Sequence, residues 1–87
     1  MPTLQLTLDD LRRILRAAAG EAEGANLDSD IDDTRFSDLG YDSLALLETT
    51  GRIERELGVR LDDALVVDAR TPRELLGAVN AQLLAAA

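Results

Sequence analysis

The chain contains no cysteine, no histidine, no tryptophan and no lysine, and its only aromatic residues are Phe36 and Tyr41. Without cysteine there are no disulfides and no thiolate metal sites. Without histidine the commonest general base and the commonest metal ligand are both missing. Without lysine a Ser-x-x-Lys nucleophile cannot be built. Carboxylates, arginines and hydroxyls are what remain, a sparse kit for an enzyme. No apolar run approaches the ~20 residues of a membrane span. The opening MPTLQLTLDD lacks the basic start, apolar segment and small-residue cleavage site of a secretory signal, so a cytoplasmic location is expected.

Acid is present in excess. Seventeen Asp and Glu face nine arginines, for a net charge of −8 over 87 residues. Such a surface repels nucleic acid and anionic lipid, because both require cations against phosphate. It favours basic protein partners, or it serves solubility alone. The length predicts one domain, 1–87, expected as a monomer.

Helix signals organise the chain. Thr7-Leu8-Asp9-Asp10 is a cap followed by acids, and Leu8, Leu11, Ile14, Leu15 and Ala18 then recur at helical spacing up to Gly20. This predicts a helix over 8–19. Arg12, Arg13 and Arg16 fall on its other faces and are expected on an exposed charged surface beside Asp9 and Asp10. Periodicity then dissolves from Gly20 to Tyr41, but Leu27, Ile31, Phe36 and Leu39 are spaced as anchors, which predicts an ordered loop with a turn in TRFSDLG. A second helix opens at Asp42 or Ser43 and ends near Gly58. A short helix is expected around Asp63 to Val67. Thr71-Pro72-Arg73-Glu74 opens the last helix, with a stripe of Leu75, Leu76, Val79, Leu83 and Leu84. The predicted fold is all-α: a small bundle of three main helices plus one short helix, with a long ordered loop between the first and second.

The second helix has two apolar faces. At 100° per residue, Leu46, Thr49, Thr50, Ile53 and Leu57 share one arc of about 100°, the core face. Leu44, Leu47 and Gly51 lie outside it with Glu48, and Glu54 sits at the edge near Ser43. Either the long loop covers this second stripe, or a partner reads it through leucines ringed by acids. Gly51 would let that partner approach closely. Thr49 and Thr50 either offer a polar wall to a guest or bond to backbone carbonyls one turn back.

Ser43 is the candidate site residue. One reading makes Asp42 or Ser43 a helix cap. A second makes Ser43 an activated nucleophile, but no histidine, no Ser-x-x-Lys base and no G-x-S-x-G elbow exist for it. A third makes it a hydroxyl modified by another enzyme, at a helix start that favours phosphate.

The string DLGYDSLALLE, residues 38–48, resembles the phosphopantetheine attachment segment of acyl carrier proteins. FSDLGYDSLALLETTGRIERELG is most similar to the discrete carriers of bacterial type II (aromatic) polyketide synthases. The likeness extends from TLDDLRRIL to TPRELL, nearly the whole chain. It implies no catalytic residue. It implies 4′-phosphopantetheine carried as a phosphodiester on Ser43, with Asp42 in the transferase recognition site and helping to position its magnesium. The arm's thiol would carry malonyl and growing polyketide groups as thioesters, as a component of antibiotic biosynthesis. The implied partners are a phosphopantetheinyl transferase, ketosynthase/chain-length factor, malonyl transferase and tailoring enzymes such as a ketoreductase. They would dock on Leu44, Leu47 and Glu48, with Gly51 and Glu54 beside them. A fatty-acid or peptide-synthesis carrier is the alternative within this mould. An unmodified acidic helical adaptor is the alternative outside it. Asp28-Ser-Asp30-Ile-Asp32 resembles half a calcium loop but lacks the later Gly and Glu, so no metal site is expected.

Overall fold

Thr7 begins the first helix by exchanging hydrogen bonds with Asp10: the threonine Oγ1 accepts the Asp10 N–H, and the Asp10 carboxylate accepts the Thr7 N–H, each at 3.1 Å. That reciprocal box satisfies two of the donors a helix start leaves open. In the computed structural model, which describes residues 5–20, 26–62, 64 and 68–86, three helices result: α1 (Leu8–Ala19), α2 (Ser43–Leu57) and α3 (Pro72–Ala86). No strand occurs among the described residues. The short helix expected around 63–67 lies outside them, Ala64 apart.

α1 buries Leu11, Ile14 and Leu15 and packs against both other helices. α2 contributes Thr49, Thr50 and Ile53, and ends where Gly58 takes the left-handed conformation (φ 66°) and donates its N–H to Glu54 O. That backbone state costs a residue with a Cβ more than it costs glycine. α3 is capped by Thr71, whose Oγ1 accepts the Glu74 N–H, and it buries Leu75, Val79 and Leu83. Leu84 departs from the predicted stripe and is 69% exposed. It stands nine residues beyond Leu75, about 180° around the helix at 100° per residue, and so faces away from the core.

The loop before α2 is nailed down by its apolar residues. Leu27, Ile31, Phe36 and Leu39 are all buried in the common core. Its stretch 21–25 lies outside the described residues. Polar fixings add to the anchors, and they overturn the exposed reading of Arg12. Its guanidinium reaches the carbonyls of Leu27 at 2.6 Å and Ser29 at 3.0 Å, leaving the side chain only 18% exposed. The loop's carbonyls have no ladder of their own, so an arginine fork satisfies them. Arg16 holds Asp28, and Arg73 holds Asp33 through two contacts at 2.8 and 3.2 Å. Before α1, the Asn80 side-chain amide grips residue 6 as a strand would, accepting its N–H at 2.7 Å and donating to its carbonyl at 3.0 Å.

Candidate functional site

The start of α2 is positioned by a tight turn. Leu39 N–H donates to Arg35 O and Tyr41 N–H to Phe36 O, closing residues 35–41 on themselves. Gly40 makes the closure possible at φ 90°, where a side chain would be strained. Tyr41 then turns inward, 4% exposed, and its hydroxyl donates to Gly20 O at 3.0 Å. The site is thereby tied to the end of α1.

Asp42 is the cap. Its carboxylate accepts the Ala45 N–H at 2.8 Å, and its carbonyl accepts the Leu46 N–H at 3.0 Å. Ser43 is the first helical residue; it is exposed, and its hydroxyl has no partner among the described residues. Of the two capping candidates, the neighbour does the capping and Ser43 is left free. Beside it opens a hollow of about 440 Å³ with a floor of Phe36, Tyr41, Leu46 and Ala69. Arg35 and Arg70 stand on its rim. Sequence reasoning missed both arginines, since neither belongs to a local motif.

The second apolar stripe is uncovered. Leu44 is 64% and Leu47 49% exposed. Leu44 and Glu48 line a hollow of about 340 Å³ against Ala19. Leu47, Glu48 and Gly51 line the next, of about 290 Å³, against Ala17 and Ala18. A Cβ added at Gly51 would meet nothing within 4 Å, so no close packing within the chain demands this glycine. Glu54 stands at the edge of this surface: it is half-buried, and its carboxylate accepts the Leu61 N–H at 2.8 Å. Thr49 and Thr50 are buried, and their hydroxyls donate one turn back, to Ala45 O and Leu47 O. They present no free polar wall to a guest.

Electrostatics around the loop follow the ion pairs. The hydrogen bond from Arg16, then its charge, lowers the Asp28 carboxyl below its ordinary value, and Arg73 does the same for Asp33. Asp10 is lowered chiefly by the hydrogen bonds from Thr7. None of these groups touches Ser43. Among the described residues no cluster of acidic side chains has the arrangement to hold a metal ion, and no helix is long and apolar enough to cross a membrane.

Residues 9–79 match the family described as the phosphopantetheine attachment site. The chain is 61% identical over 80 residues to the monensin polyketide synthase acyl carrier protein of Streptomyces virginiae, covering 92% of this chain and 90% of that one. It is 52% identical to the actinorhodin polyketide synthase acyl carrier protein of Streptomyces coelicolor, over the full length of both. The solved structure of the actinorhodin holo acyl carrier protein from the same organism superposes with a TM-score of 0.82 at 49% identity, covering 99% of this chain and all of that one.

Proposed function

The chain belongs to the phosphopantetheine attachment family, as an acyl carrier protein of the type II polyketide synthases, and we propose that Ser43 is the residue that bears the arm. Its cofactor is covalent 4′-phosphopantetheine, and the chain is a carrier that works with synthase enzymes, not a catalyst. The fatty-acid, peptide-synthesis and unmodified-adaptor alternatives are not favoured by these relatives.

One observation supports the choice of residue above others. Asp42 satisfies the helix start, so the Ser43 hydroxyl is exposed and unengaged. A visiting enzyme can reach it without unfolding anything. The helix dipole and the first-turn amides that Asp42 does not take favour an anion there. The hollow of about 440 Å³ leaves room beside the hydroxyl, so the residues present fit the group. Ser43 Oγ forms its bond to phosphorus as the anhydride bond of coenzyme A breaks and the nucleotide half departs. The chain has no histidine to take the Ser43 proton, and the Asp42 carboxylate is engaged with the Ala45 N–H, so the transferase supplies the base. Asp42, fixed next to the hydroxyl by its own capping bond, is the recognition residue for that transferase.

When bound, the group's terminal thiol carries malonyl and growing polyketide chains as thioesters. Leu44, Leu47, Glu48 and Gly51 form the docking face for the ketosynthase/chain-length factor, malonyl transferase and ketoreductase. Exposed leucine supplies adhesion, and Glu48 steers basic patches. Glu54 contributes from the edge, with one carboxylate oxygen held by Leu61. The carrier acts in the cytoplasm as a monomer. Incubation with coenzyme A, magnesium and a promiscuous transferase tests the assignment. Intact mass should rise by one phosphopantetheine in the native protein and not in Ser43→Ala. An adduct that persists in Ser43→Ala would rule the residue out.

A further inference from the structure

We propose that Arg35 and Arg70 form a two-cation clamp on the phosphodiester next to Ser43, fixing the root of the arm on the side of the hollow. This rests on Ser43 as the attachment residue. The chain has almost twice as many acids as arginines, so arginine need not go unpaired. Arg12, Arg13, Arg16, Arg52 and Arg73 each meet a carboxylate. Among the described residues, the guanidinium groups of Arg35, Arg55, Arg60 and Arg70 do not. Two of these four line the hollow that Ser43 opens on.

Their convergence is built into the backbone. Phe36 N–H donates to Arg70 O at 2.9 Å, so residue 70 is tied to the segment just after Arg35. The Arg70 N–H is held in turn by the Glu74 carboxylate at 2.9 Å. The acid that lines the same hollow, Asp42, is occupied with Ala45 N–H and pairs with neither arginine. The phosphorus is bonded directly to Ser43 Oγ, so its free oxygens enter the space these cations border. Guanidinium is the side chain best shaped to hold such oxygens. Arg55 lines the separate hollow at Leu47, and Arg60 the one near Ala85, so both are internal controls.

The test compares the full-length ¹⁵N-labelled apo protein with the same protein after loading, the site of loading being located by mass. At low salt, loading should shift the Nε–Hε signals of Arg35 and Arg70 and slow their exchange with water by about two- to fivefold, the size of an exposed ion pair. Those of Arg55 and Arg60 should not respond. The ³¹P resonance of the loaded protein should move in the R35Q/R70Q double variant, and 1 M salt should move the native resonance the same way. Both side chains are exposed and make no internal bond, so the variant folds. If the group is found on Ser43 while Arg35 and Arg70 behave like Arg55 and Arg60, the clamp is wrong and the attachment residue stands. If the group is found elsewhere, both fall.

Discussion

Removing the two neighbouring side chains at the start of α2 should have opposite consequences. Asp42→Ala deletes the carboxylate that accepts the Ala45 N–H at 2.8 Å. Loss of such a cap costs about 1 kcal/mol, within a range of roughly 0.5–2. For a domain of this size that lowers Tm by about 4–8 °C. Ser43→Ala deletes a hydroxyl that bonds to nothing among the described residues, at an exposed first helical position. Alanine is the better helix former, so stability should hold or rise by a few tenths of a kcal/mol, about what helix propensities allow. Asp42→Asn supplies a third measurement. Asparagine caps about as well as aspartate, so stability should return while the charge stays lost. The assay is thermal and urea unfolding of the apo proteins followed by circular dichroism. The division of roles is refuted if Ser43→Ala costs as much as Asp42→Ala, because Ser43 would then be the structural residue.

Glu48→Arg should leave stability within about 0.5 kcal/mol, as surface substitutions usually do. It should slow acyl transfer to and from the ketosynthase, most at low salt; transfer rates indifferent to both charge and salt would count against electrostatic docking. Gly51→Ala meets open space and should stabilise α2 by up to about 1 kcal/mol while slowing the same transfers. A variant that is stabilised and transfers at the native rate would remove Gly51 from the docking face. The acid response of the loop follows from Asp33, whose carboxyl is lowered from its ordinary 3.8 by Arg73. A lowered carboxyl lends stability that is present above its unfolded value and lost as pH falls through its folded one. Arg73→Gln should therefore be less stable than the native protein near neutral pH, with the difference closing as pH drops below about 3.8. A gap that persists at pH 2 would show that Arg73 acts through packing instead.

The helices were legible because their ends are marked locally. Thr7 with Asp10, and Thr71 with Pro72 and Glu74, lie within single turns, and the periodicity of Leu11, Ile14 and Leu15 needs no knowledge of what they pack on. The loop anchors were legible for a similar reason: Leu27, Ile31, Phe36 and Leu39 stand out in a polar stretch. Contacts between distant segments leave no such mark. Arg12 meets carbonyls 15 and 17 positions away, so its charge pointed to solvent when its fork in fact serves the loop. Asn80 grips residue 6 across 74 positions. The hollow at Ser43 assembles from Arg35, Leu46 and Arg70, three segments with no shared period. Ser43 itself was conspicuous in DLGYDSLALLE, but only folding decided whether it or Asp42 would be spent on the cap.

The most direct measurement is peptide mapping by tandem mass spectrometry on protein recovered from the cells that make it. The account predicts a phosphopantetheine-bearing fragment, free or acylated, whose modification lies on the Ser43 oxygen. Protein isolated alongside its active synthase with Ser43 unmodified, or with the group on another hydroxyl, would contradict it.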